Sequence, residues 1–300
     1  MELVGFIQSG RKMFMIANKN RFSYLTLKKI NLLFFSIFLV LLPKFVFAAG
    51  SGMHSPIEQF VVKTLIQIKD PIFGYDISFT NSSLAMVITV FVMILLMQMG
   101  LKKLTIIPSK TQTFVESCYE FIANMIVDNI GKSGMKYFSF VFTLFLFILI
   151  GNLLGMFPFS FTWTSHIIVT FAISFFIFIG TTIISIYKHG LIKFLKFFAP
   201  SGVPKPMLLL LVPIEIISYL SRPISLSVRL FANMMAGHTL LKVIGGFVFV
   251  LGANSFIIGG ALPLIFLVAL TGLEIVIAFL QAYVFAILTC LYINDAIHLH

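Results

Sequence analysis

From Tyr137 to Tyr187 the chain carries no Asp, Glu, Lys or Arg. A helix that crosses bilayer hydrocarbon needs about 20 predominantly apolar residues, so this run is too long for one crossing and long enough for two. Pro158 and the polar, aromatic stretch FTWTS at 161–165 divide it, which predicts two spans joined by a tight turn. Lys188, Lys193, Lys196 and Lys205 close the run; cations in short loops mark the cytoplasmic side and put the turn outside. Only 10% of the 300 residues are charged and 59% are hydrophobic, whereas globular domains are about a quarter charged. The net charge of +11 sits in loops between apolar runs. No basic stretch with interleaved aromatics lies outside them, so nucleic acid is excluded as a partner.

The same reading covers the rest of the chain. Residues 1–48 hold a basic segment (Arg11, Lys12, Lys19, Arg21, Lys28, Lys29), then INLLFFSIFLVLL and the small-residue site Val46-Phe47-Ala48. They read as a secretory signal cut near Ala48, as an uncleaved first helix, or as sequence ahead of the true start codon. Residues 49–83 form an extracytoplasmic segment, and 84–300 the membrane domain. Asn81-Ser82-Ser83 fits a glycosylation sequon but reads better as the N-cap of a span over about 84–100, which ends at Lys102-Lys103 on the inside. Residues 111–130 pattern as an amphipathic helix, with Phe114, Cys118, Phe121, Ile122 and Met125 on one side and Glu116, Glu120, Asn124 and Asp128 elsewhere. The GKS at 131–133 is no phosphate loop, because Ile126 stands where that motif needs glycine. The segments 207–248 and 256–294 are each too long for one perpendicular crossing. They must tilt, break or lie partly in the membrane plane, with Pro213, Pro223, Gly245-Gly246 and Pro263 as possible bends. Cys118 and Cys290 lack any CxxC spacing and read as packing residues. His298 and His300 have no third ligand, so no metal or cofactor is expected.

Polar residues stand where lipid is expected. Glu215, Arg222 and Arg229 are seven apart and share a narrow stripe, with Asn233 one turn beyond Arg229 and His238 further on. Glu274 and Gln281 repeat the spacing on the last helix. An arginine cannot shed its proton, so Arg229 needs a wet cavity or an anionic partner. Two readings follow: an Arg229–Glu274 pair that locks two helices, or a proton path using Glu274 and His238. Asn152, between Gly151 and Gly155, reads first as a helix-packing device.

SLSVRLFANMMAGH at 225–238 resembles the signature of subunit a of F-type ATP synthases. GNLLGMFP, PIEIISYLSRP and LEIVIAFLQAYVFAILTCLYINDA resemble the same family in the same order, over roughly residues 55–300. The resemblance implies an all-α membrane protein with about five spans, an interfacial amphipathic helix, and two long, bent, strongly tilted last helices. It implies a proton-conducting stator with no nucleotide site. Arg229 would face the c-ring carboxylates and separate two offset half-channels. Asn233, His238, Glu274 and Gln281 would line the outer half-channel; Glu215, with Ser221 and Ser225, the inner one; Asn152 would lie on the outer side. Implied partners are the c-ring, peripheral-stalk subunit b, the F1 sector, protons and lipid. Some family members carry an acid where this chain has His238 and a histidine where it has Glu274, so the chief proton carrier stays open. A signal-like N-terminus favours a bacterial inner membrane over a mitochondrial one. A proton-coupled secondary transporter fits less well, since the halves show no internal repeat.

Overall fold

The computed structural model describes residues 60–67, 78–101, 109–157, 160–198, 205–254 and 256–298. The basic and apolar segment 1–48, Lys102-Lys103 and Pro158 lie outside them.

A two-stranded antiparallel pair opens the described chain, β1 (Thr64–Ile66) against β2 (Phe79–Thr80), with Thr64 opposite Thr80 and Ile66 opposite Phe79. Seven helices follow: α1 (Asn81–Leu101), α2 (Lys110–Ile130), α3 (Phe138–Gly155), α4 (Ile167–His189), the short α5 (Leu191–Phe197), α6 (Lys205–Asn254) and α7 (Phe256–Ile297). Among the described residues, five segments are long and apolar enough to cross a membrane: 81–101, 132–155, 167–189, 207–252 and 260–297. This is the expected number of crossings. The cap of α1 is Thr80, one residue earlier than read from sequence: its Oγ1 accepts the Ser83 N–H at 3.4 Å. Asn81 instead ties the helix start to the strand, accepting from the Lys63 N–H and donating to the Val61 carbonyl, each at 3.1 Å.

Neither α6 nor α7 is broken: the 50 and 42 residues continue through Pro213, Pro223 and Pro263. At 1.5 Å per residue they run to about 75 and 63 Å, twice the ~30 Å hydrocarbon thickness, so both must incline steeply to stay in lipid. They pack more extensively on each other than any other pair of elements. On α7 one row facing the bundle is small: Ala278, Ala282, Ala286 and Cys290, spaced by four and fully buried. Small residues let helices approach closely where no hydrophobic drive acts between them. At the outer ends Gly252 and Gly260 do the same, since a Cβ on Gly260 would lie 3.1 Å from Gly252 Cα.

The core gathers Ile122 and Ile126 of α2, Val141, Phe145 and Ile148 of α3, Leu230 and Met234 of α6, and Phe285 and Ile293 of α7. The amphipathic helix therefore packs on the chain's own bundle. Its buried stripe is Val115, Ile122, Met125 and Ile126, and it corrects the expected face: Phe114 and Phe121 are exposed. Phe121 still meets Phe145, Phe279 and Tyr283 as tilted ring pairs with centroids 5.6–6.0 Å apart. The face that α4 buries is mostly polar and small: Thr170, Ser174, Thr181 and Ser185 flank the single aliphatic Ile177. Three of these hydroxyls return their hydrogen bonds to the helix backbone.

At one end of the bundle, Lys188 Nζ and His189 Nε2 reach the Ile297 carbonyl at 3.3 and 3.0 Å. A lysine and a histidine side chain thus cover the last carbonyl of α7. This end joins the C-terminus of α4 to that of α7.

Candidate functional site

The glycines of GNLLG have a different partner from the one expected. They seat the outer turn rather than another helix. A Cβ on Gly151 would lie 2.4 Å from Trp163 Cζ2, and one on Gly155 would lie 2.5 Å from Thr162 Cγ2. The turn folds back as a 3-10 segment, Trp163–Ser165, and buries Trp163 completely. The indole N–H donates to Thr89 Oγ1 of α1 at 3.1 Å.

This placement delivers Thr162 to the polar interior. Its Oγ1 donates to the Gly155 carbonyl at 3.1 Å and lies 3.2 Å from His238 Nε2. The other ring nitrogen, Nδ1, stands 3.1 Å from Glu274 Oε1. His238 and Glu274 are both buried. At that angle neither Glu274 oxygen makes a hydrogen bond among the described residues. The two residues flagged separately from sequence are therefore one pair, bridging α6 and α7. Gly237 makes room for it, because a Cβ there would meet Glu274 Oε1 at 2.7 Å. Asn152, fully buried, donates from Nδ2 to the Ala278 carbonyl at 3.3 Å, one turn of α7 beyond Glu274. Its Oδ1 has no partner among the described residues. It links α3 to α7 beside the pair.

Arg229 points elsewhere. His238 is nine residues on, half a turn around a 3.6-residue helix, so when His238 faces the bundle Arg229 faces out. Arg229 is exposed, as are Ser225 and Val228 beside it. Among the described residues its guanidinium makes no ion pair or hydrogen bond, so the Arg229–Glu274 lock expected as one alternative does not form. The paired arginine is Arg222. It bonds Asp295 Oδ2 at 2.9 Å and lies over the Tyr219 and Tyr292 rings at 5.3 and 5.2 Å. Sequence reasoning missed Asp295, Thr162 and Gly237. Asp295 alone left a signal, as the one acid at the inner end of the last helix.

The remaining candidates are dispersed. Glu215, Asn233 and Gln281 are half-buried, and Ser221 and Ser225 are exposed. Ser221 spends its hydroxyl on the Ser218 carbonyl at 2.7 Å.

An all-helical bundle, five membrane-length segments and a buried ionisable pair between its two longest helices define an integral membrane protein built to handle charge inside the bilayer. A family model described as ATP synthase A chain matches residues 82–294. A protein of Pelagibacter ubique described as ATP synthase subunit a is 58% identical over 247 residues, covering 82% of this chain and 98% of that one. Proteins of the same description from Rhodospirillum rubrum and Rhizobium etli are 54% and 55% identical over 248 residues. They cover 83% and 82% of this chain, and 100% and 98% of their own length. The chain belongs to the ATP synthase A chain family, the proton-translocating and non-catalytic membrane subunits of the F0 sector.

Proposed function

We propose that this chain carries protons through two half-channels that do not meet, and that Arg229 separates them. The observation that supports this best is the exposure of Arg229, without a protein partner among the described residues, in the middle of a 50-residue apolar helix. A guanidinium held at membrane depth costs at least about 2.5 kcal/mol. A carboxylate on a neighbouring rotor subunit would return that cost, and a fixed positive charge would repel protons crossing directly. The c-ring is thus the partner of this face.

The His238–Glu274 pair, with Asn152, Asn233 and Gln281, forms the outer half-channel. Because the pair is in contact, neither residue alone is the chief carrier; the proton is held by the two together. Glu215, with Ser221 and Ser225, lies on the inner side, toward the end where Arg222 meets Asp295. The membrane potential supplies about 2.3 kcal/mol per charge per 100 mV, and rotation becomes the only conducting route. Peripheral-stalk subunit b holds the chain against the ring, and the F1 sector uses the rotation. The bacterial relatives favour a bacterial inner membrane.

The test is ATP-driven acidification of inverted vesicles bearing Arg229→Ala, with passive proton leak through the membrane sector measured alongside. Lost pumping with intact assembly supports the separator role. Normal, tightly coupled pumping rejects it.

A further inference from the structure

We propose that Thr162 is a positioning residue that fixes which nitrogen of His238 carries the proton, and so makes His238 and Glu274 a one-proton relay. The proposal rests on the outer half-channel reading above.

The argument is proton counting. Gly155 is the last residue of α3, so its carbonyl has no donor within the helix. Thr162 Oγ1 supplies one at 3.1 Å. A hydroxyl has a single proton, and a carbonyl can only accept, so the Thr162 proton is committed to Gly155. The 3.2 Å contact between Thr162 Oγ1 and His238 Nε2 is then satisfied only if Nε2–H donates. In neutral imidazole that leaves Nδ1 bare, with its lone pair on the side where Glu274 Oε1 stands 3.1 Å away.

The step that follows balances. A proton reaching Glu274 sits on Oε1. The O–H bond breaks with its electron pair left on the carboxylate, and the Nδ1 lone pair forms the new N–H bond. The product is an imidazolium beside a carboxylate, and reversal restores both neutral groups. One proton moves and the pair's net charge does not change. A small rotation of the Glu274 carboxyl brings the two atoms into line; such alignment commonly tightens only in the working state. With the opposite tautomer, Nδ1–H would face the carboxyl and the lone pair would face Thr162, and Glu274 could not pass its proton on. The charged groups acting on the His238 ring are Glu274 from α7 and Lys242, one turn along α6; the turn and α3 contribute the neutral Thr162 and Gly155. A glycine at 155 is part of the device, since a Cβ would push Thr162 off this line.

The experiment uses the assembled complex in membranes, with 15N-labelled histidine, and assigns the His238 signals by difference from His238→Gln. The wild type should show a bare Nδ1 and a protonated Nε2. Thr162→Val should lose that preference, lower passive proton conductance about fivefold and move its pH profile. Thr162→Ser, which keeps the hydroxyl, should retain both the tautomer and the profile. A wild-type spectrum with Nδ1 protonated overturns the proposal even if Thr162→Val fails to assemble. A Thr162→Val complex with the wild-type tautomer and profile overturns it as well. If His238→Gln itself conducts normally, the outer half-channel reading falls; if His238→Gln is impaired and Thr162→Val is not, only the role of Thr162 falls.

Discussion

Gly237→Ala separates stability from proton conduction more cleanly than any substitution of an ionisable residue. The new methyl carbon would meet Glu274 Oε1 at 2.7 Å, Cδ at 3.3 Å and Cγ at 3.5 Å, where ordinary contact begins near 3.4 Å. The carboxyl must retreat by about 0.7 Å, and it is the free end of a flexible side chain. Folding should therefore suffer little: alanine in a helix interior gains up to about 1 kcal/mol over glycine, which offsets the crowding. The separation that matters is the 3.1 Å between Glu274 Oε1 and His238 Nδ1. Misplacing reacting groups by about 1 Å costs up to 100-fold, so a retreat of this size should cost roughly tenfold in proton flux. The assay is ATP-driven acidification of inverted vesicles, with passive conductance measured after F1 is stripped. Full assembly with unchanged flux would refute the reasoning, because the carboxyl position would then not matter.

Other outcomes follow from the same geometry. Gly151→Ala drives a carbon into Trp163 and should cost about 1–3 kcal/mol through overpacking. Trp163 is the chain's one tryptophan, so a red-shifted emission and easier quenching in the purified protein report its release from Thr89. Arg222→Gln and Asp295→Asn remove a pair whose carboxylate is half exposed, 25% and 48% for the two side chains. A double-mutant cycle on thermal unfolding should find a coupling under about 1 kcal/mol, and a much larger value would show the pair to be buried by a partner in the complex. His166, stacked on Phe161 at 4.9 Å, has its pKa lowered by burial. The unfolded turn therefore binds the extra proton, and the stability of the turn should fall as pH drops below about 6.5. His166→Phe should abolish that trend in hydrogen exchange of the outer turn.

The spans could be read from the sequence because a helix in lipid needs a charge-free run of fixed minimum length, and loops record their side in lysines. The direction each helix faces could not. Lipid-facing and bundle-facing positions are both apolar, so the periodicity that orients a soluble helix fades. The charge-free α3 is buried over most of its length, while the equally charge-free α1 exposes Val87, Phe91, Ile94 and Met99. The misassigned face of α2 has a related cause: Phe121 lies at the rim of the buried stripe, where it touches other rings yet stays exposed.

The candidate site divides along the same line. The sequence by itself determined that Arg229, Glu274 and His238 stand within long apolar runs, since that depends only on local order. It also determined that α6 and α7 exceed any perpendicular crossing. Only the tertiary structure decided that Arg229 faces away from Glu274, that Glu274 meets His238 36 positions earlier in the chain, and that the turn after α3 brings Thr162 onto the second ring nitrogen. Those contacts join separate helices, and their geometry is set by where small residues let backbones approach: Gly151, Gly155, Gly237 and the alanine row of α7. A glycine in a sequence signals that something comes close; which group comes close is fixed only when the helices pack.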